Sequence, residues 1–252
     1  LPALSAHAQM SETQLPPVSQ TASANYLERA WTKAQAAEIL DDTMRLRFEY
    51  DELALSEAEE VAVKDLLEAG ARLHTLYLEQ RHPQARAIES FFTENEKRPD
   101  LEEIFRIMKG PIATTPDNKR KAFLNVDPET PARNVYPDGL TRADLDAYLE
   151  ENPDMRDEIL DLRAVVKRAD EDEKTALDIL HPGLRENIQE AESYFALPYS
   201  VAYAEDIMFI YDRLTHAADA MKDDDIAFAR FLDLRAVDLL TDNYDGGDAA
   251  WV

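Results

Sequence analysis

Only 6 of the 252 residues are glycine, so few positions in this chain can rely on a positive φ. Alanine, leucine, glutamate, aspartate and arginine dominate instead, and all of these except aspartate lose little rotamer freedom in a helix. The expectation is a mostly α fold of seven or eight helices with at most a small β element. Hydrophobic residues make up 45% of the chain, enough for a packed core and too many for wholesale disorder.

Charge narrows the partners. Lys and Arg number 27 against 52 for Asp and Glu, a formal net charge of −25. Such a surface repels phosphate backbones, so nucleic acid is not an expected partner; it suits solubility, and secondarily the attraction of cationic peptides. No run approaches the ~18 apolar residues that span a bilayer, so no membrane partner is expected. The absence of cysteine excludes disulfides, thiolate zinc sites and cysteine nucleophiles within the chain. Leu1-Pro2-Ala3-Leu4-Ser5-Ala6-His7-Ala8 reads as the tail of a secretory signal ending in A-x-A. The basic n-region is missing and the chain does not begin with Met, so its numbering is expected to start inside a precursor. A periplasmic or secreted protein is expected, with residues 1–23 a signal remnant and disordered tether.

An N-terminal helical region is expected over 24–110. Leu27, Ala30, Trp31, Ala34, Ala37 and Ile39/Leu40 recur at helical steps, and Met44 and Phe48 continue the stripe. Ser56 with Glu59 forms a capping box opening a second helix, whose apolar positions are Val63, Leu66, Leu67, Ala71, Leu73, Leu76 and Tyr77. A third helix is expected near residues 84–95, and a fourth, capped by Asp100, carries Leu101, Ile104, Phe105 and Met108.

A proline-rich junction, read as irregular, follows over 111–138, and a second helical region over 139–252. Thr141 with Asp144 is another capping box. Periodicity leaves Ile159–Val166 open between a short strand and a helical turn. His181-Pro182-Gly183 reads as a turn, and helices are expected over 199–220 and 224–240.

Catalytic signatures are missing. His7, His74, His82, His181 and His216 form no H-E-x-x-H or H-E-x-x-x-H, and no two have the i, i+4 spacing that puts paired imidazoles on one helix face. Structural histidines are expected, and no zinc bound by this chain. The run Asp242 to Asp248 gathers oxygen ligands around glycine, but Tyr244 and Gly246 stand where a calcium loop needs Asp or Asn. No nucleophile elbow or phosphate-binding glycine loop is present.

Three stretches carry a resemblance. They are Asn134-Val135-Tyr136-Pro137-Asp138-Gly139-Leu140-Thr141-Arg142, then Leu197-Pro198-Tyr199-Ser200-Val201-Ala202-Tyr203, then Phe231-Leu232-Asp233-Leu234-Arg235-Ala236-Val237-Asp238-Leu239-Leu240-Thr241-Asp242-Asn243-Tyr244 with Asp248-Ala249-Ala250-Trp251. In this order and spacing they resemble the region before the catalytic domain of short bacterial dipeptidyl-peptidase III-family metallopeptidases.

The resemblance implies an intact zinc exopeptidase releasing dipeptides from peptide N-termini. Zinc there sits on H-E-x-x-x-H and E-E-x-x-A-D motifs, with the motif's glutamate as general base. Those motifs are absent before Val252, so no catalytic or metal-binding residue carries over. The expected partners are a peptide substrate and a catalytic C-terminal half. The alternative is a free-standing, non-catalytic helical module that binds peptides or a partner protein. Tyr244, Asp248 and Trp251 are the candidate substrate-binding residues: the two aromatics would supply apolar surface and Asp248 would meet a cationic N-terminus. The same stretch also reads as a helix-ending turn whose aromatics pack on a neighbouring domain.

Overall fold

The computed structural model describes residues 25–46, 55–95, 97–129, 133–180, 188 and 191–251. The expected signal remnant, Phe48, His7 and the turn at His181 lie outside these. Among the described residues the fold is mostly α, with eleven helices and two separate two-stranded antiparallel sheets. There are more helices than expected because two are single turns too short to show a period, and two more, of ten and seven residues, were not anticipated.

The first core gathers α1 (Lys33–Leu40), α3 (Ala85–Glu94), α4 (Pro99–Met108) and a hairpin of β1 (Ile112–Thr114) with β2 (Arg120–Ala122). The hairpin stands inside the proline-rich stretch that read as irregular. Ile39, Ile88, Phe92, Leu101, Ile104, Phe105 and Phe123 are buried together there. The helical reading from Leu27 to Met44 holds only over α1, which Thr32 opens with a capping box. Before it, the chain is pinned by Trp31 N–H donating to the Phe123 carbonyl (2.9 Å), and Met44 is exposed.

The expected cap of α4 is corrected: Asp100 lies inside the helix, behind Pro99. Its carboxylate instead accepts from Arg98 Nε (2.8 Å) and Nη2 (2.6 Å), and Nη2 also reaches the Trp31 carbonyl (2.9 Å). A two-pronged guanidinium bond competes better for this carboxylate than a backbone amide. The Arg98 hydrogen bonds hold the Asp100 carboxyl below the usual carboxylate range. With the folded pKa depressed, its stabilisation is present above the unfolded value near pH 4 and is lost as pH falls through the folded value. Asp100→Asn is therefore expected to lower urea stability at neutral pH and to flatten the acid limb of the stability profile. An unchanged acid limb would reject this link.

The second core joins distant segments. α2 (Glu57–Arg81) packs on α9 (Ala204–Met221), which in turn packs on α10 (Ile226–Thr241), and the three bury Ala62, Ala69, Leu76, Ile207, Ile210, Leu214, Ala217, Ala218, Leu232 and Ala236 in one core. The alanines let the helix axes approach closely. The Ser56 capping box is present as expected, and Ser56 Oγ also donates to Asp224 Oδ2 (2.8 Å), tying the start of α2 to the α9–α10 turn. The expected apolar stripe of α2 is corrected in part: Leu76 is buried and Leu66 packs against the core as expected, but Val63, Leu67, Ala71, Leu73 and Tyr77 are exposed, and Ala62, Asp65 and Ala69 are buried instead.

Two smaller clusters surround β3 (Ala164–Arg168) and β4 (Tyr194–Pro198), which pair with Ala164 opposite Pro198 and Arg168 opposite Tyr194. On one side lie α5 (Arg142–Glu151), opened by the expected Thr141 box, and the short α6 (Arg156–Ile159). On the other, Leu177 of α7 (Glu171–Leu180) meets Phe195 and Leu197. The undecided run Ile159–Val166 thus divides between the end of α6 and the start of β3. The helix expected over 199–220 is broken. A single turn, α8 (Tyr199–Ala202), ends at Tyr203, whose φ/ψ of −122°/31° separates it from α9.

Candidate functional site

The three familiar stretches converge on β3. At one end, Arg168 Nη2 donates to the Asp138 carbonyl (2.9 Å); at the other, Arg163 Nη1 donates to the Asp242 carbonyl (2.8 Å). The Leu197–Tyr203 stretch supplies β4 and α8, and Ser200 N–H donates to Asp242 Oδ2 (3.1 Å). Tyr203 is packed deeply enough that burial pushes its hydroxyl up to about 12.

Asp242 ends α10 in the left-handed region, with φ 54°. The chain reverses there and Asn243 Oδ1 accepts from Asp245 N–H (3.2 Å), opening α11 (Asp245–Trp251). The Tyr244 ring is enclosed by two guanidiniums, with Arg163 5.2 Å and Arg235 5.6 Å from its centroid. Burial raises the Tyr244 pKa above its ordinary value, Asp242 adds to the rise, and the two arginines oppose it.

Arg235 organises the rest. It donates to Asp248 Oδ1 (2.8 Å), lies 3.4 Å from Asp238 Oδ2 and stands 5.5 Å from the Phe231 ring centroid. The buried Asp238 also accepts from Gly247 N–H (3.4 Å), so one carboxylate links α10 to α11. The Trp251 ring rests on Phe231 at 5.1 Å, yet the residue is 73% exposed.

Of the sequence candidates, Tyr244 is half-buried between arginines, Asp248 is ion-paired but largely open to solvent, and Trp251 presents an exposed indole. Tyr244 lies in the turn, Asp248 follows within α11, and Trp251 ends that helix against Phe231. The sequence reading missed Arg163, Arg235, Asp238 and Asp242. The i, i+3 spacing of Arg235 and Asp238 was a usable signal, whereas the reach of Arg163 across 79 residues had none.

Zinc does not fit the residues described. His82 is buried, with Nε2 at 3.1 Å from the Asp127 carbonyl and Nδ1 accepting from Gln84 N–H (3.2 Å). His74 lies 3.8 Å from Glu89, and His216 Nδ1 is 2.5 Å from Asp65. No three His, Asp or Glu side chains among the described residues could hold a metal ion together. None of these helices is long and apolar enough to cross a membrane.

No protein-family model and no curated protein matches the chain. Two solved structures do. Dipeptidyl-peptidase III from Caldithrix abyssi is similar at 23% identity and a TM-score of 0.68, covering 87% of this chain and 37% of that one. Dipeptidyl-peptidase III from Corallococcus sp. strain EGB is similar at 20% identity and a TM-score of 0.71, covering 88% of this chain and 38% of that one. The chain spans little more than a third of either structure's length. Its fold is that of a part of dipeptidyl-peptidase III, so the likeness of motif is a likeness of fold as well.

Proposed function

We propose that this chain is the structural and cleft-forming front part of an exported, zinc-dependent exopeptidase that releases dipeptides from peptide N-termini. The observation that carries this reading is the fold likeness to two dipeptidyl-peptidase III structures over nearly the whole chain. On this reading the zinc and its general base belong to a catalytic C-terminal half, and this chain supplies none of the reacting groups. Its contribution is a wall: the turn from Asp242 to Trp251, held rigid by Arg163 and Arg235, presents Asp248 and an indole to the peptide. A carboxylate beside apolar surface suits a cationic peptide N-terminus.

Expressing the whole reading frame that contains these codons tests the reading. The frame is expected to continue past Val252 into an H-E-x-x-x-H segment, and its product to release dipeptides until a chelator is added. In that product Tyr244→Ala and Asp248→Asn are expected to lower kcat/KM by about tenfold or more at unchanged melting temperature. A product that folds and binds peptides but never releases dipeptides would instead establish the non-catalytic module.

A further inference from the structure

One guanidinium behind the candidate turn serves two carboxylates of opposite character. Arg235 Nη2 donates to Asp248 Oδ1 (2.8 Å), while Nη1 stands 3.4 Å from Asp238 Oδ2. The Asp248 side chain is 70% exposed and that of Asp238 only 4%. Asp238 Oδ1 accepts from Gly247 N–H, but Oδ2 is buried and makes no hydrogen bond. A buried carboxylate oxygen left so is costly and calls for an explanation. α11 closes tightly over it, since a Cβ at Gly247 would overlap Oδ2. The cation beside Oδ2 is Arg235, yet its short bond goes to the exposed acid. Nor do the charges balance. Two carboxylates against one guanidinium leave the trio one positive charge short.

We propose that Asp238 is a positioning residue for the amino terminus of the peptide, taking over Arg235 when the peptide's ammonium group takes Asp248. The inference rests on the peptidase reading of this turn and adds the exchange that sets its specificity. Asp248 Oδ1 lets go of Arg235 Nη2 and accepts from the ammonium instead. Arg235 swings inward, and Nη1 closes on Asp238 Oδ2. Each acid then has a cation of its own. The exposed Arg235–Asp248 bond given up is weak, whereas the pair gained is buried, where a hydrogen bond between charges is stronger. A peptide with a blocked, uncharged amino terminus brings no such cation and leaves Arg235 on Asp248.

Variants of the product of the whole reading frame provide the test. Asp248→Asn probes the exchange without substrate: its crystal structure is expected to show Arg235 Nη1 closed on Asp238 Oδ2 at about 2.8 Å. Asp238→Asn keeps an acceptor for Gly247 N–H but offers Arg235 no second carboxylate. It is expected to raise KM about tenfold at unchanged kcat, with the Asp248 N–H still protected from exchange. Adding Arg235→Gln, which frees Asp248, is expected to recover most of that loss. An Arg235 that stays 3.4 Å from Asp238 in Asp248→Asn overturns the proposal. So does an unchanged KM in Asp238→Asn, a rise that Arg235→Gln does not recover, or a rise with loss of the amide protection, which would leave Asp238 as the seat of α11 and nothing more. In each of these cases the peptidase reading stands. A KM indifferent to Asp248→Asn removes that carboxylate from the cleft, and overturns both the exchange and the peptide-binding reading of the turn.

Discussion

Gly247→Ala is expected to undock α11 from α10, while Gly246→Ala one residue earlier leaves it in place. A Cβ at Gly247 would overlap the Asp238 carboxylate and stand 3.1 Å from Arg235 Cζ; at Gly246 it would find only ordinary contacts of 3.6 and 3.7 Å. The clash cannot be relieved cheaply. Asp238 is 3% exposed and fixed between Arg235 and the Gly247 amide, so moving it breaks a buried charge pair as well as the bond that seats the helix. Overpacking of this kind costs about 2–3 kcal/mol, comparable to what a seven-residue helix gains by docking, so loss of the helix is the cheaper outcome. Amide exchange gives the measurement. The Asp248 N–H, bonded to the Tyr244 carbonyl at 3.0 Å, should exchange near the coil rate in Gly247→Ala and remain protected in Gly246→Ala. Equal protection in the two variants would show that the contact with Asp238 does not seat α11.

What the sequence made legible follows the range of each interaction. The boxes at Ser56 and Thr141 were readable because donor, acceptor and pattern lie within four residues. The helical class was readable from composition. The buried face of α2 was not, because hydrophobicity pointed to Val63 and Leu67 while packing selected the small alanines and Asp65. A short apolar run such as Ile159–Val166 has no period of its own. It becomes a strand where β4, about 30 residues later, gives it a partner. At the candidate site the motif directed attention to residues 242–251, where Tyr244 lies in the turn after α10, Asp248 follows within α11 and Trp251 ends that helix against Phe231. The arginines that fix this stretch come from β3's threshold and from the body of α10, where a charged residue in a helix reads as a solvated face.

The largest stability effects are expected at another charged group that hydrophobic patterning misread. Asp65 is 3% exposed in the α2–α9 interface; its Oδ1 accepts from Arg213 Nη1 (3.0 Å), and its Oδ2 lies 2.5 Å from His216 Nδ1. The cost of cutting this group depends on what is left behind without a partner. Arg213→Ala leaves a buried carboxylate with only His216 beside it, and about 4 kcal/mol is expected to be lost. Asp65→Ala strands a guanidinium that is less confined. The Arg213 side chain is 31% exposed, keeps Glu68 at 3.4 Å and lies 5.6 Å from the Phe209 ring centroid, so about 3 kcal/mol is expected. His216→Ala removes a side chain 61% exposed and leaves Asp65 its arginine, for about 1 kcal/mol or less. Replacing both partners, as Asp65→Leu with Arg213→Met, removes the stranded charge and should recover most of the loss, since an apolar pair of similar volume needs no compensation for desolvation. Urea midpoints for the four variants should therefore fall in the order His216→Ala and the double variant highest, then Asp65→Ala, then Arg213→Ala. Losses below about 1 kcal/mol for both Asp65→Ala and Arg213→Ala would mean that the α2–α9 contact is held by its apolar residues alone, with the carboxylate as passenger.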